Sequence, residues 1–218
     1  MAEYFSYGQT EIDALKAADP VLGDAIDRIG EIRREVIPDL FSALIHSIIG
    51  QQISTKAQMT VWSRFCARFT PLSPQMLSTL SLEELQSCGI SLRKAEYIHD
   101  IAAQVTEGTL DLAAIAQLSD EEVIAALSKL RGIGRWTAEM LLIFSLQRKD
   151  VLSFDDLAIR RGLRMLYHHR KITPTLFRRY RKRYAPYASI ASLYLWAIAG
   201  GVLPELKDYQ PKPKKQRK

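Results

Sequence analysis

The feature that most constrains this chain is a pair of glycines placed directly before a long apolar segment. Gly132 and Gly134 flank one isoleucine in LRGIGRW (130–136), and WTAEMLLIFSLQ (136–147) follows. Glycine adopts positive φ and permits close backbone approach, and a segment that is apolar on nearly all sides is typical of a buried helix. The pattern predicts a tight turn that leads into a central buried helix.

The start of this helix has the properties of an anion site. The first N–H groups of a helix have no partner within it and lie at the positive end of its dipole, and Arg131 and Arg135 flank the turn. A DNA phosphate fits such a group of donors. A contact of this kind would not depend on the DNA sequence. The alternative is a glycine that only ends the preceding helix. The presence of both Gly132 and Gly134 favours phosphate binding.

Most other segments are helical by periodicity and by their start signals. LFSALIHSIIG (40–50) carries one apolar stripe after Pro38-Asp39. SLEELQSC (81–88) and SDEEVIAALSKL (119–130) each open with a Ser-x-x-Glu capping box. Further helices are predicted over residues 55–69 and 92–105. No segment alternates as a strand does, and the predicted fold class is therefore all-α.

A weak internal repeat accompanies the glycine pair. GISLRKAE (89–96, the first copy) and GIGRWTAE (132–139, the second copy) begin with Gly-Ile, end with Ala-Glu and lie 43 residues apart. Each follows a leucine-rich segment with helical character. The repeat predicts two helix–turn–helix hairpins.

Charge is distributed unevenly along the chain. The net charge is +6, but residues 1–150 carry 14 Lys/Arg against 20 Asp/Glu, whereas residues 151–218 carry 16 against 4. A basic third indicates a polyanionic partner, with a solvated basic face as the alternative. The Pro- and Lys-rich tail, residues 206–218, is predicted to be disordered.

Cysteines and apolar runs exclude several classes. Cys66 and Cys88 are the only cysteines, too few for a disulfide framework or a four-cysteine iron–sulfur site. No apolar run is long enough for a membrane span, and the N-terminus does not have the pattern of a signal peptide. A reduced intracellular compartment is expected.

Several segments together resemble one family. LRGIGRWTA resembles the helix–hairpin–helix signature of the base-excision DNA glycosylases of the helix–hairpin–helix/Gly-Pro-Asp superfamily, and DVLSFDDLAIRRGL (150–163) resembles the segment with its catalytic aspartate. LIHSIIGQQISTKAQ (44–58) and GISLRKAEYI (89–98) are also similar to its members. In order and spacing, these segments resemble the 3-methyladenine DNA glycosylase II (AlkA-type) branch.

The resemblance implies an architecture of two helical subdomains with a cleft between them. Residues 37–147 would form a helical bundle that ends in the helix–hairpin–helix motif. Residues 1–36 plus 148–218 would form the second subdomain. Asp156 would then lie at the mouth of the cleft.

Two aspartates precede the helix expected over residues 157–167. We expect Asp155 to cap this helix and Asp156 to point elsewhere, because adjacent helical residues point about 100° apart. By resemblance, Asp156 is the catalytic aspartate. A carboxylate stabilises the oxocarbenium-like sugar that forms when an N-glycosidic bond breaks. An alkylated purine is already cationic and leaves without an obligatory general acid.

Trp136 stands where bifunctional relatives have a lysine that forms a Schiff base with the sugar. The resemblance therefore implies a monofunctional glycosylase without AP-lyase activity. Trp136 would stack on a cationic base; a core tryptophan that anchors the hairpin is the alternative. Trp196 matches a second pocket aromatic of the branch, with a core position as its alternative. Met140 and Leu157 stand where close relatives have pocket tyrosines, which implies a less aromatic pocket and a narrower or shifted substrate range.

Gln51 and Gln52 follow the apolar segment 40–50. A base inside a duplex must be flipped out before it is cut, and a side chain fills the gap. By resemblance, Gln52 takes this wedge position and Gln51 binds DNA beside it; helix capping and local hydrogen bonds are the alternative for the pair. The hairpin of the family often holds a monovalent cation through backbone carbonyls. The resemblance offers Leu130 and Ile133 for a structural Na+ or K+, and no cofactor is required.

The resemblance as a whole implies a monomeric DNA repair enzyme. It would hydrolyse the N-glycosidic bond of alkylated purines in duplex DNA, without membrane contact, at the bacterial nucleoid in the cytoplasm or in a eukaryotic nucleus. Two alternatives stay open: a glycosylase for uracil or a mispaired base, and a non-catalytic helix–hairpin–helix DNA-binding module. Asp156 disfavours the last, since a pure binder needs no carboxylate facing DNA. The segment around Tyr180, Tyr184 and Tyr187 is a basic helix that either faces DNA or braces the second subdomain.

Overall fold

The computed structural model describes residues 3–209, so most of the tail predicted to be disordered lies outside the described residues. Within them the regular secondary structure is helical except for strands β1 (Glu3–Tyr4) and β2 (Glu35–Val36), which form one small sheet. The all-α prediction is confirmed. The helices are α1 (Gln9–Ala18), α2 (Pro20–Ile29), α3 (Leu40–Gly50), α4 (Thr55–Arg68), α5 (Pro74–Thr79), α6 (Leu82–Gln86), α7 (Leu92–Thr106), α8 (Leu112–Ala116), α9 (Asp120–Leu127), α10 (Arg135–Phe144), α11 (Leu157–Tyr167), α12 (Pro174–Tyr184) and α13 (Ala188–Ala199).

The chain divides into two compact units. Unit 1 comprises the described residues of Met1–Glu35 and Gln147–Lys218, and unit 2 is Val36–Leu146. Among the described residues, no helix is long and apolar enough to cross a membrane.

Unit 2 is built around α3, which packs against α4, α7, α8 and α10. Leu44, Ile45 and Ile48 of α3 are completely buried. Asp39 starts the helix as predicted, because its carboxylate accepts the N–H of Ser42 at 2.8 Å. The predicted capping box of α6 is also present: Ser81 Oγ accepts the N–H of Glu84, whose side chain accepts the N–H of Ser81.

Unit 1 is built around α13, which packs closely against α11. A Cβ at Gly162 of α11 would lie 2.4 Å from the carbonyl oxygen of Leu195 on α13. Only glycine permits this approach of two backbones. The contact therefore fixes the position of α11, whose N-terminus carries Asp156.

The basic helix α12 braces unit 1 through one face. Tyr180 and Tyr184 are buried, and burial raises the pKa of Tyr184 well above its ordinary value. Asp19, at 2% exposed, accepts hydrogen bonds from Tyr167 Oη at 2.8 Å and from the guanidinium of Arg183 at 2.7 Å. Tyr184 joins the same network through the Tyr167 hydroxyl, 2.7 Å away. The tyrosines of α12 thus stabilise the fold of this unit.

Candidate functional site

The second copy of the repeat forms a tight turn between α9 and α10. The N–H of Ile133 donates to the carbonyl of Leu130 at 3.1 Å, and both side chains are buried. Gly132 has φ +85°, and a Cβ there would lie 2.3 Å from the ring of Tyr97. Both the backbone conformation and the contact with Tyr97 therefore require a glycine at 132.

Gly134 has a different role from Gly132. It is the N-cap of α10, with φ −94° and ψ 172°, a conformation open to any residue. A Cβ at this position would meet nothing within 4 Å. Because it is a glycine, this N-cap has no side chain that could accept the N–H groups of the first turn. The start of α10 thus has the open form that the predicted anion site needs.

The two arginines beside this turn form ion pairs within unit 2. Arg131 lies 3.7 Å from Glu96, and its guanidinium is 5.4 Å from the centre of the Tyr97 ring. Arg135 pairs with Glu121 at 2.8 Å and with Glu139 at 3.1 Å. Both arginine side chains are more than half exposed, and exposed pairs such as Arg135–Glu121 contribute only about 0–1 kcal/mol. A phosphate could therefore replace Glu96 or Glu121 at a small cost, whereas the pair with Glu139, which is buried, would be kept.

Trp136 and Met140 lie one turn apart on α10 and share a face. Trp136 is 46% exposed, and Met140 is half-buried. A side chain with nearly half of its surface exposed is not a core anchor, the alternative considered for Trp136.

Asp156, and not Asp155, is the N-cap of α11. Its Oδ1 accepts the N–H groups of Ala158 and Ile159, each at 2.8 Å. The prediction that Asp155 caps this helix was wrong, because α11 begins at Leu157 and the residue with extended backbone before it is Asp156. Asp155 is exposed, whereas Asp156 is only 6% exposed.

Side chains of α13 and α12 hold the segment that leads to Asp156. Ser189 Oγ accepts the N–H of Val151 at 2.9 Å and donates to the carbonyl of Arg148 at 2.6 Å. Ser192 Oγ donates to the carbonyl of Ala188 in its own helix at 2.9 Å and lies 3.2 Å from the carbonyl of Val151. Arg181 donates to both the carboxylate and the carbonyl of Asp150, at 2.7 and 2.6 Å. These bonds fix the chain just before Asp156.

Sequence reasoning missed this set of supporting side chains. A signal was present, because Ser189 and Ser192 interrupt an otherwise apolar helix and are completely buried. Buried hydroxyls need hydrogen-bond partners. Ser192 has one partner four residues earlier, Ala188. The partners that join both serines to the segment before Asp156, however, lie about 40 residues earlier in the chain, and no spacing in the sequence indicates them.

The remaining predicted pocket residues of unit 1 lie on the helices that meet at Gly162. Leu157, directly after Asp156, is 72% exposed. Trp196 lies on α13 and is half-buried. It is therefore neither fully in the core, the alternative to a pocket position, nor fully exposed.

The segment that runs from the last residue of α3 to the start of α4, residues 50–54 (loop 50–54), carries the predicted wedge. Gln51 Nε2 donates to the carbonyl of Gly132 at 2.7 Å, so Gln51 joins this loop to the second copy of the repeat. Gln52 is exposed and has φ +57°, the left-handed conformation that non-glycine residues rarely adopt. Such backbone strain is common at ligand-binding positions.

Among the described residues, no group of three or more His, Cys, Asp or Glu side chains could hold a metal ion. Backbone carbonyl oxygens, such as those of the 130–133 turn, are a separate kind of donor to a cation.

Comparison with known proteins adds the following findings. Residues 45–186 match the family described as the HhH-GPD superfamily of base excision DNA repair proteins. A DNA-3-methyladenine glycosylase of Schizosaccharomyces pombe is 35% identical over 185 residues, which cover 82% of this chain and 78% of the relative. The crystal structure of a DNA-3-methyladenine glycosidase from Bacillus halodurans matches with a TM-score of 0.81 and 36% identity, over 94% of this chain and 95% of that one. An S. pombe 3-methyladenine DNA glycosylase in complex with abasic DNA matches with a TM-score of 0.76 and 30% identity, over 93% and 100% of the two chains.

Proposed function

Because this chain belongs to the HhH-GPD superfamily of base excision DNA repair proteins, we propose that it is a monofunctional DNA glycosylase that releases alkylated purines from duplex DNA. The match of residues 45–186 to this family confirms the family assignment made from the hairpin and the aspartate. The substrates are purines of the 3-methyladenine and 7-methylguanine type. The relatives named 3-methyladenine DNA glycosylases support this class of substrate, and the relative solved with abasic DNA supports DNA as the partner.

The observation that carries the proposal is the placement of Asp156. This carboxylate is almost buried, is oriented by two backbone N–H groups at the start of α11, and follows a segment fixed by Ser189 and Arg181. Breaking an N-glycosidic bond develops positive charge on the sugar. A carboxylate held in place stabilises that charge without reorganisation at the moment of reaction.

The first turn of α10 is the proposed phosphate site. Its N–H groups, together with Arg131 and Arg135, would bind the DNA backbone near the lesion. Such contacts fix the position of the enzyme on DNA and do not depend on the base sequence. A repair enzyme requires this independence, because lesions occur in any sequence. The open space at Gly134 supports this role.

Trp136 is proposed to stack on the cationic base. An indole attracts a positively charged ring by about 0.5–2 kcal/mol, and more when water is excluded. Met140, one turn along α10 from Trp136, is proposed to contact the base beside it, and Trp196 and Leu157 are proposed as further base-contacting residues. Because position 136 carries no amine, no Schiff base with the sugar forms there, and the DNA strand stays intact.

Gln52 is proposed to enter the duplex when the base leaves it, with Gln51 beside it. Its amide can hydrogen-bond the orphaned base. The left-handed conformation of Gln52 and its exposure support a functional position.

The turn at 130–133 is proposed to hold Na+ or K+. Carbonyl oxygens are suitable donors for such cations. The Leu130 carbonyl accepts one N–H within the turn and has a second lone pair, and Ile133 would supply another carbonyl. The ion would add positive charge next to the proposed phosphate site; no catalytic group is required from it. We further propose that the enzyme acts as a monomer at the nucleoid or in the nucleus.

The test compares two neighbouring aspartates. Asp156→Asn keeps the ability to cap α11 but removes the charge, and release of 7-methylguanine from a duplex should fall by about 100-fold or more. Affinity for the duplex should change little. Asp155→Asn, the matched control, removes an exposed charge one residue away and should leave release intact. Unchanged release by Asp156→Asn would refute the catalytic assignment.

The same reactions test the monofunctional claim and the lesion class. At neutral pH the DNA strand should stay intact until it is treated with hot alkali, and nicking that depends on the protein would contradict the proposal. A panel of methylated, deaminated and etheno bases should show release of methylated purines above the others. Preferential release of uracil would favour the alternative glycosylase.

A further inference from the structure

The loop 50–54 is attached to the first copy of the repeat through Lys94. The ammonium group of Lys94, in the first turn of α7, donates to the carbonyls of Ile49 and Gln51, both at 2.8 Å. These carbonyls lie at the C-terminal end of α3, where helix carbonyls have no partner within the helix and where a positive charge is favoured by the dipole. Lys94 therefore closes the end of α3 just before the exposed Gln52.

Two further contacts fix the same stretch of backbone. A Cβ at Gly50 would lie 2.2 Å from Nε2 of Gln58, and this Nε2 donates to the carbonyl of His46 at 3.0 Å. Gln51 Nε2 donates to the carbonyl of Gly132 in the second copy. Gln58 of α4 thus packs against Gly50 and bonds to α3, while hydrogen bonds of Lys94 and Gln51 join the loop to the first and second copies.

This arrangement accounts for the unusual conformation of Gln52. A non-glycine residue in the left-handed region costs about 1–3 kcal/mol and persists only where its surroundings determine the backbone. Lys94 bonds to the carbonyl of Gln51, the residue directly before Gln52. Removing the ammonium group would allow this peptide unit to rotate and Gln52 to relax to negative φ.

Lys94 is partly desolvated for this role. Burial lowers the pKa of its ammonium group, because a charge that loses contact with water is disfavoured. An apolar side chain of the same length would fill this space without that cost. The charge is thus better explained by the two carbonyls it positions than by packing.

We infer that Lys94 is a positioning residue for base flipping, which holds loop 50–54 in the conformation that presents Gln52 to the duplex. The inference rests on the proposed function, since it assigns a role in the same reaction. Lys94 touches neither the base nor the sugar. Its effect is on the step that unpairs the lesion and fills the gap.

The experiment compares two duplexes that carry one 7-methylguanine each. In the first the lesion is opposite cytosine; in the second it is opposite a stable abasic analogue, where no pairing has to be broken and no partner base is orphaned. Single-turnover release is measured with wild type, Lys94→Met, Lys94→Arg and the control Lys171→Met, which removes an exposed lysine of unit 1. The ratio of the two rates does not depend on the fraction of enzyme that is folded.

Lys94→Met should slow release opposite cytosine by about ten-fold, the usual effect of losing charge-assisted hydrogen bonds, and release opposite the abasic analogue much less. Lys94→Arg keeps charged donors and should restore most of the ratio, while Lys171→Met should match wild type. Amide hydrogen exchange of residues 50–54 should accelerate in Lys94→Met. If Lys94→Met does not fold, Lys94→Gln provides the same comparison with a smaller change.

Two results would overturn the inference. One is an equal loss of rate on both duplexes, which indicates a role outside the unpairing step. The other is an unchanged ratio in a folded Lys94 variant. Failure of the proposed function is distinct from both, because wild type itself would then release 7-methylguanine from neither duplex.

Discussion

The two copies of the repeat have the same turn but end it differently. In both, the first glycine has positive φ, +95° at Gly89 and +85° at Gly132, and the isoleucine that follows is buried. In the first copy the third residue is Ser91, whose Oγ accepts the N–H of Lys94 at 3.4 Å and so caps α7. In the second copy the third residue is Gly134, which brings no side chain to α10.

This difference indicates how one structural unit can serve two purposes. The first copy satisfies its own helix start and supplies contacts to the second. Its Glu96 pairs with Arg131, and its Lys94 fixes the loop that bonds to Gly132. Tyr97, directly after the first copy, packs on Gly132. The second copy has a glycine and no side-chain cap at its helix start, where the proposed phosphate site lies. The first copy is thus a support, and the second is the proposed binding element.

The largest stability effect should distinguish the two leading glycines. Gly132→Ala combines a positive φ with a collision against the Tyr97 ring, and should lower the free energy of unfolding by about 3 kcal/mol. Gly89→Ala has the same backbone cost, but its Cβ would lie 3.9 Å from its nearest neighbour, Arg64, so about 1–2 kcal/mol is expected. Urea unfolding followed by tryptophan fluorescence measures both. Equal losses would show that the contact with Tyr97 is not specific to the second copy.

A smaller effect is expected at the helix start of the first copy. Ser91→Ala removes the cap of α7 and should lower the free energy of unfolding by about 1 kcal/mol. Binding to duplex DNA should not change, since the first copy is not the proposed binding element. A clear loss of DNA affinity in a folded Ser91→Ala protein would make the division of roles between the two copies wrong.

The repeat itself and most helices were predictable from the sequence, because their signals are local. Asp39, the capping box at Ser81 and the Gly-Ile pairs lie within four residues of the backbone groups that they organise. The prediction that Asp155 caps α11 was wrong by one residue. Sequence signals locate a helix start only to within one or two residues, and here one residue separates the buried cap, Asp156, from the exposed Asp155.

The supports of the site were not predictable, because their partners are distant in sequence. Lys94 bonds to carbonyls more than 40 residues earlier, and Ser189 bonds to a backbone N–H 38 residues earlier. The sequence shows a lysine in a helix and a serine among apolar residues, but it does not show which distant backbone group each of them bonds to. The family resemblance supplied the proposed catalytic residue, and the folded structure supplied the residues that hold it.

The most direct test of the division of roles places a negative charge at the same position of each copy. Gly134→Asp is sterically tolerated, because a Cβ at 134 meets nothing within 4 Å, and its carboxylate would cap α10 and repel a phosphate. Affinity for a duplex with a stable abasic analogue should fall by about ten-fold or more, with stability nearly unchanged. Ser91→Asp, which adds the same charge to the first copy and keeps its cap, should bind as wild type does. Equal affinities of Gly134→Asp and wild type would contradict the account.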